Sequence, residues 1–487
     1  DKPGYKNGGN RFDLGKWDGA YFERLRHFVA EAGKRGIVVE VSLFSSLYGD
    51  NGWKASPLHP DNNVNGVGKG VDRKKVHTLD NGGLLVEQER LVRKLVAELR
   101  DADNVYYEIQ NEPWADLSAY DSLASPATPA SLAWQRRIAQ VIAAEESKLP
   151  QRHLIAENVS NRSNAVKDPD PNVSLLNFHY CRPPDAVRLN AGSKRAIGFD
   201  ETGFDGPDDV TYRKQAWHFL LAGGGLFDHL DYSFTTAREN GTATQKAPGG
   251  GSAALRTQLG ALRAFLEGFG DDLVHMGPAD GLVRGGASPE TRVFAAPGHA
   301  YAVYLAGGTN GRVELELPFG VWTASWLEPR TGQTLRSERV VHGGGPRLFD
   351  GGAYTEDLAL RLVRSQEEPT VAELGKTANL WTTKAPGGKV AITVLLADLT
   401  GNGSRRLYYQ VEHGTVLVPW SPLGITRADD DFVDGLSFLS TRERSVNDTY
   451  ALLRGKTSKV NARGQERSLV FENPRKGKLE LVVRAYD

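Results

Sequence analysis

Two glutamates, Glu112 and Glu201, each follow a short apolar run at a point where a packing role does not explain a carboxylate. Glu112 lies in the segment 104–114, NVYYEIQNEPW, and Glu201 lies in GFDETG. Two carboxyl groups that face each other can protonate a leaving oxygen on one side and attack, or activate water, on the other, if their environments separate their pKa values. Cleavage of a glycosidic bond needs this pair of groups. The alternative for Glu112 is an Asn-Glu-Pro turn that only closes a strand.

The elements around the two glutamates alternate between strand and helix patterns, as in a parallel α/β barrel. Six segments predict strands, namely 37–44, 104–110, 153–158, 173–180, 194–201 and 225–234, and helical spacing predicts helices at 18–35, 84–99, 131–148 and 210–222. Polar side chains follow one apolar run after another, and barrel active sites lie at that carboxyl rim. We therefore expect Glu112 and Glu201 to face each other across the mouth. Pro113 predicts an extended backbone at Glu112.

Residues 1–268 resemble the catalytic barrel of the clan A retaining glycoside hydrolases. Asn111-Glu112 matches the end of that clan's fourth strand, and Glu201 matches the nucleophile that ends its seventh strand. The segment 177–180, NFHY, fits the sixth strand, where many members carry His and Tyr near the nucleophile. Within the clan, the chain is most similar to cellulase-like and apiosidase-like barrels that a collagen-binding-like sandwich follows. The resemblance implies a retaining enzyme acting on β-glycosidic bonds of a plant-type polysaccharide such as β-1,4-glucan, with Glu112 as acid/base and Glu201 as nucleophile.

Six further residues are candidates for substrate binding: Asn111, His179, Tyr180, Trp53, Trp114 and Tyr232. Asn111 would hold the 2-hydroxyl of the sugar, and Tyr180 or His179 would orient Glu201. A hydrogen-bonded histidine inside the barrel wall is an equally good interpretation of His179. The three remaining aromatic residues would stack on apolar sugar faces, although single aromatic residues are as often part of a core.

The predicted barrel departs from the clan in its strand count. If 37–44 is the third strand, the first two strands have no counterpart, and the arginine that supports the nucleophile in the clan cannot be mapped. An open barrel leaves two strand edges that need covering. We expect a homodimer to cover them; a strand from the carboxy-terminal sandwich, or the segment 1–14 folding back, are the alternatives.

After residue 274 the pattern changes to period-two strands, which predicts two β-sandwich domains at 269–365 and 371–487. The first has predicted strands at 291–295, 300–305, 312–317, 321–327 and 357–363, and its TASWLEPRTGQ segment is similar to the collagen-binding-like domain. The second has predicted strands at 379–383, 389–396, 407–411, 415–417, 468–472 and 478–485. Its segments VLVPWSPLGI, YALLRGK and LELVVRAYD resemble part of the amino-terminal sandwich of family 97 glycoside hydrolases, which brings no catalytic residue.

Charge and composition exclude several classes of partner. The 487 residues contain 59 basic and 60 acidic side chains, which argues against nucleic acid and against a membrane surface and favours a neutral polysaccharide or oligosaccharide. Cys181 is the only cysteine, so no internal disulfide forms. The pattern predicts no metal and no cofactor, and we expect a secreted or periplasmic bacterial protein whose signal is not in this chain.

Two functional classes remain open. The first is an active retaining glycosidase, and the second is a non-catalytic carbohydrate-binding or remnant protein with an incomplete barrel. The irregular segment 45–80 would form either an open cleft or a closed pocket, so the sequence does not distinguish endo from exo action.

Overall fold

A computed structural model of the chain describes residues 11–116, 126–147, 149, 152–181, 184–243, 249–367, 369–370, 373, 378–401, 403–451 and 459–487. The segment 1–10, residue 148 at the end of a predicted helix, residues 371–372 and most of the YALLRGK motif lie outside the described residues. The chain divides into two compact units, Asp1–Arg256 and Thr257–Asp487.

The first unit alternates strands and helices along the chain. Its strands are β1 (Val39–Ser45), β2 (Val105–Asn111), β3 (Ile155–Asn161), β4 (Leu175–His179), β5 (Ala196–Glu201) and β6 (Leu226–Phe227). Its helices are α1 (Gly19–Gly33), α2 (Asp50–Ala55), α3 (Leu84–Leu99), α4 (Pro129–Glu146), α5 (Asp185–Asn190) and α6 (Asp209–Leu221). The next helix, α7 (Ala253–Glu267), begins in the first unit and ends in the second. Short 3-10 turns lie at Arg73–Lys75, Pro113–Asp116 and Ala191–Ser193.

The six strands form one parallel sheet in chain order, from β1 at one edge to β6 at the other. This confirms the six predicted strands and their parallel pairing. The sheet is curled, because Asn177 of β4 donates from Nδ2 to Oε1 of Glu40 on β1 at 3.0 Å, across the interior. The six parallel strands of the first unit therefore form a partial barrel.

Alternation along each strand separates a polar interior from an apolar outer face. In β2, Val105, Tyr107 and Ile109 join a core cluster with the helices, whereas Glu108 points inside. The helical side of this cluster comes from the apolar stripes of three helices: Phe22 and Val29 of α1, Val92, Leu95 and Leu99 of α3, and Trp134, Ile138 and Ile142 of α4.

Side-chain caps determine where two of these helices begin. The Asp18 carboxylate accepts from the backbone N–H groups of Ala20 and Tyr21 and starts α1. The Thr128 hydroxyl accepts from Ser131 N–H at 3.2 Å and starts α4, in which Pro129 occupies the first turn.

The last predicted strand, 225–234, is wrong in length, because only Leu226–Phe227 pair regularly with β5. Leu230 N–H still donates to Thr202 O at 2.9 Å, outside regular strand pairing. The chain then turns at Asp231, whose carboxylate accepts the N–H of Ser233.

The second unit is antiparallel. A seven-stranded sheet contains β7 (Gly277–Pro278), β8 (Val283–Gly285), β9 (Arg292–Ala296), β10 (Ala300–Ala306), β11 (Asn310–Leu327), β12 (Thr334–Ala353) and β13 (Asp357–Arg364). Its main path runs β12-β11-β13-β10-β9-β7, with β8 on β11. The two strands predicted at 312–317 and 321–327 are one continuous strand, β11, and β12 was not predicted.

The last part of this unit forms two smaller antiparallel sheets. One has the order β14 (Asn379–Lys384), β15 (Val390–Ala397), β16 (Arg406–His413) and β17 (Thr415–Leu423), and the other has β18 (Ser437–Ala451), β19 (Lys459–Glu472) and β20 (Lys478–Tyr486). Leu396 and Leu407 of the first sheet share a core with Leu469 and Phe471 of the second. The two sheets thus pack as a sandwich, in which β18 was not predicted. Across the described residues, no helix combines the length and the apolar character that crossing a membrane requires.

Candidate active site

The carboxyl ends of β2, β4 and β5 bring Glu112, His179 and Glu201 together. A carboxylate oxygen of each glutamate and a ring nitrogen of His179 all lie within 4.8 Å of one another. Nδ1 of His179 is 3.1 Å from Oε1 of Glu112 and 3.5 Å from Oε2 of Glu201. The glutamate side chains are 17% and 20% exposed, and the histidine is fully buried. Both carboxylates are therefore open to solvent, while the histidine that contacts them is buried beneath.

A bulge in β5 aims two neighbouring carboxylates at the same ring. Phe178 pairs with Phe199, but His179 pairs with Glu201, so Asp200 is the extra residue. Regular alternation would send Asp200 and Glu201 to opposite faces, and a bulge re-aims a side chain. Asp200 Oδ2 consequently lies 3.7 Å from Nε2 of His179, on the other side of the ring from Glu201.

Five residues of this rim have a left-handed backbone in the described part of the chain: φ is +53° at Tyr48, +49° at Glu112, +65° at Arg162, +49° at Tyr180 and +60° at Phe204. The predicted extended geometry of Glu112 is therefore wrong. The 3-10 turn that Pro113 opens explains the difference, because Ala115 N–H returns to Glu112 O at 2.9 Å. Non-glycine residues hold this conformation only when their surroundings impose it, and they concentrate at functional sites.

Each glutamate has a tyrosine of its own. The Tyr180 hydroxyl donates to Oε1 of Glu201. The Tyr48 hydroxyl lowers the pKa of Glu112 and accepts a hydrogen bond from Nδ2 of Asn111 at 2.9 Å. Tyr48 was missed by the sequence reasoning, although its place just after β1, on the predicted rim, was a usable signal.

The predicted stacking aromatics occupy different surroundings. Trp114 is 7% exposed and meets His179 edge-on, with ring centroids 5.4 Å apart. Tyr232 lies edge-on to Phe204, at 6.4 Å. Trp53 is 7% exposed and packs in a separate apolar cluster.

Below the rim, the curled sheet encloses further carboxylates that the sequence reasoning missed as site residues. Glu108 accepts from Ser42 Oγ and from Asn158 Nδ2, both at 2.8 Å. Burial, reinforced by the charge of Asp200, raises the pKa of Glu108 to about 7. Burial and the charges of Asp200 and Glu108 raise the pKa of Glu40 to about 10. Glu40 is thus protonated at neutral pH.

The histidine that touches both glutamates is held cationic by the carboxylates around it. Burial lowers the pKa of His179, but Asp200, Glu112 and Glu201 outweigh burial and raise it to about 10. The Asn158 side-chain amide lies 2.8 Å from Nε2, and its buried Oδ1 has no partner among the described residues. An imidazolium is compatible with this contact when the amide is turned so that its oxygen accepts from Nε2–H, with Glu108 protonated beside it.

The pKa values of the two rim glutamates move in opposite directions. Burial raises the pKa of Glu112, but the hydrogen bond and charge of His179 and the bond from Tyr48 bring it below its ordinary value. Burial, with the charges of Glu112 and Asp200, raises the pKa of Glu201 more than His179 and Tyr180 lower it. Among the described residues, His179 is the only ion-pair partner of Glu201.

Two groups of side chains have the spacing to hold a cation: Glu108, His179 and Asp200 inside, and Glu112, His179 and Glu201 at the rim. Both groups share His179, which already contacts Glu112, Glu201 and Asp200.

Residues 383–487 match the family model described as the amino-terminal domain of family 97 glycoside hydrolases. This match confirms the resemblance that the carboxy-terminal segments predicted. No curated protein matches the chain.

Several solved structures resemble the chain. One, described as a glycoside hydrolase, is 13% identical with a TM-score of 0.46, and the match covers 74% of this chain and 91% of the other. A family 5 glycoside hydrolase from Bacteroides vulgatus is 12% identical with a TM-score of 0.47, covering 75% and 78%. A family 97 enzyme from Pseudoalteromonas sp. strain K8, solved with panose, is 18% identical with a TM-score of 0.19, covering 22% and 16%. These structural neighbours are glycoside hydrolases at low sequence identity.

Proposed function

We propose that the protein is a retaining glycoside hydrolase that cleaves β-glycosidic bonds of a plant-type polysaccharide such as β-1,4-glucan. The observation that carries the proposal is the approach of Glu112 and Glu201, whose carboxylate oxygens lie within 4.8 Å. Carboxyl groups are roughly 5–5.5 Å apart in retaining enzymes and roughly 6.5–9.5 Å apart in inverting ones, where water must fit between them. An approach of the nearest oxygens to within 4.8 Å is compatible with the retaining range, and it supports double displacement.

In the proposed reaction, Glu201 attacks the anomeric carbon while Glu112 protonates the leaving oxygen. The carbon–oxygen bond to the leaving group breaks as the ester bond to Glu201 forms, which gives a glycosyl-enzyme. Glu112 then takes a proton from water, and that water displaces Glu201 and releases the sugar with its original configuration. Tyr180 orients the nucleophile through its hydroxyl, and Asn111 is placed beside Glu112 to meet the sugar.

The pKa directions at the rim are the reverse of what these roles need, because a general acid must carry a proton and a nucleophile must be ionised. Burial raises both pKa values, and His179, which lies closer to Glu112 than to Glu201, outweighs burial only at Glu112. Because Nδ1 of His179 contacts both carboxylates, its N–H can give its proton to Glu112 and take one from Glu201, which leaves the histidine unchanged. Because the pKa directions oppose the assigned roles, measuring activity is not enough: a second assay must identify which glutamate is the nucleophile and which is the acid/base.

The stereochemistry of azide rescue tests the roles. In Glu201→Ala, azide should attack the bound aryl β-glycoside directly and give the inverted α-glycosyl azide. In Glu112→Ala, azide should attack the glycosyl-enzyme and give the β-glycosyl azide, with the largest loss on poor leaving groups. The opposite pairing of anomers would exchange the two roles. Turnover of Glu201→Gln near the wild-type rate would end the proposal, because an amide cannot act as the nucleophile.

The second candidate is a non-catalytic carbohydrate-binding protein. The raised pKa of Glu201, whose one ion-pair partner among the described residues is His179, favours it. Hydrolysis of β-glucan, mannan or chromogenic β-glycosides by the wild type would exclude this candidate. Saturable binding of the same oligosaccharides without turnover would support it. A polymeric substrate agrees with secretion or a periplasmic location, which we propose with the activity.

A further inference from the structure

A cavity of about 420 Å³ lies on the outer face of β3, beside α4 and the chain that follows β3. Its apolar wall includes Pro129, Leu132, Val159 and Val166. On β3, Asn158 points inward to His179 and Glu108, whereas Glu157 points the opposite way and lines the cavity. The cavity is therefore separated from the candidate active site by the sheet itself.

Glu157 is a buried carboxylate that packing does not explain. It is 6% exposed, and among the described residues no donor forms a hydrogen bond with its side chain. Buried carboxylates are normally paired or hydrogen-bonded, because an unpaired one is costly. The unmatched group lines a cavity with room for a small molecule.

The basic side chains near Glu157 do not neutralise it. Arg136 lies with Nε 3.1 Å from Asp170 Oδ2, and its Nη2 is 3.5 Å from Asp168 Oδ2. Lys167, which also lines the cavity, forms no ion pair with Glu157 in the described part of the chain. The lining thus carries three carboxylates against two cations, and Glu157 is the carboxylate without an ion pair among the described residues.

The charge on Glu157 depends on pH within the ordinary range. Burial and the charge of Asp170 together raise its pKa to about 7, against the opposing charge of Arg136. Above this pH Glu157 adds a negative charge to the wall of the cavity.

We propose that this cavity binds a small organic cation, a primary ammonium group on a short apolar chain, with the Glu157 carboxylate as its acceptor. An ammonium group offers three donors and the charge that the carboxylate lacks, and the chain covers the apolar wall. A neutral hydroxyl would leave the charge unmatched, and a hydrated metal ion would gain nothing from the apolar wall. This inference does not depend on the proposed glycosidase activity.

The test is calorimetric or NMR titration of the full chain with n-butylammonium chloride at about pH 8, where Glu157 is ionised. The matched probes are n-butanol, which has the same chain without the charge, and sodium and calcium chloride at equal ionic strength. We expect saturable binding of n-butylammonium alone, which weakens as the pH falls to about 6. Equal binding of butanol, binding of calcium only, or no saturable binding of n-butylammonium at millimolar concentration would each overturn the proposal.

Two variants assign the acceptor. Glu157→Gln keeps the shape, removes the charge and should weaken binding at least about tenfold, since a charge-assisted hydrogen bond is lost. Asp168→Asn removes the same charge from the rim, where the side chain is 90% exposed, and should change affinity by less than about twofold. Unchanged affinity in a folded Glu157→Gln protein, with an intact thermal transition, would refute the assignment.

Discussion

Replacing Tyr180 by Phe should make the nucleophile, Glu201, less effective without removing it. The substitution deletes one hydroxyl, which donates to Oε1 of Glu201, and leaves the ring that packs edge-on against Phe204 at 5.7 Å. A hydrogen bond to a charged group contributes about 1.5–3 kcal/mol. If the whole of it is lost from the reacting state, kcat/KM on an aryl β-glycoside falls about 10- to 150-fold.

The same variant should move the pH profile in a direction that the structure dictates. The Tyr180 hydrogen bond lowers the pKa of Glu201, which burial has already raised, so removing the bond raises that pKa further. Because Glu201 must be ionised to attack, the acid limb of kcat/KM should shift to higher pH. Tyr232→Phe is the matched control and should leave the acid limb in place, since in the described part of the chain the hydrogen bond to Oε1 of Glu201 comes from Tyr180 and Tyr232 forms none. A Tyr180→Phe enzyme with activity within about twofold of wild type and an unmoved acid limb would refute the reasoning.

Three further outcomes follow from the fold and its charges. Glu40 has a pKa of about 10 in the folded protein against an ordinary 4.5, so its contribution to stability is full below about pH 4.5 and declines as the pH rises towards 10. The melting temperature of Glu40→Gln relative to wild type should therefore increase with pH. A difference in melting temperature that stays flat or falls would contradict this. Asp18→Ala should lower the free energy of unfolding by about 1 kcal/mol in denaturant titration, because two N–H groups of α1 lose their cap, and no change would show that the cap contributes nothing. Ile37 and Val38 beside the β1 edge are 51% and 63% exposed, so we expect a homodimer that covers this edge. Light scattering should detect the dimer, and Val38→Asp should weaken it. A strict monomer at high concentration would exclude this assembly.

The parts of the fold that were predictable are those in which apolar spacing alone determines the element. The stripe of α3, Leu84–Leu99, was predicted with the observed bounds, and β2 and β5 follow from short buried runs. Strand β12, Thr334–Ala353, was missed because its glycines break the period-two pattern and its first half is largely exposed. Strand β18 was missed for a related reason, since its solvent-exposed residues show no apolar face.

At the candidate site, the sequence predicted which residues take part but not the geometry in which they are held. The sequence predicted that Glu112 and Glu201 would follow parallel strands, which is enough to bring them to one edge of a sheet. The bulge at Asp200 and the left-handed turn at Glu112 depend on tertiary hydrogen bonds, so no local pattern announces them. The buried carboxylate of Glu108 was seen only as a break in an apolar run, because its partner, Asn158, is distant in the sequence.

The left-handed rim residues imply that stability and site geometry are opposed in this protein. At Tyr48, Glu112, Tyr180 and Phe204, an asparagine or glycine would adopt the observed backbone with less strain than the residue present. Laboratory selection for heat resistance alone would therefore favour exchanges at the positions that hold the tyrosines and the glutamate of the site. A thermostable variant obtained in this way would keep its parallel sheet but lose the side chains that form the candidate site. Screens on this scaffold therefore need to measure sugar turnover or binding together with the melting temperature.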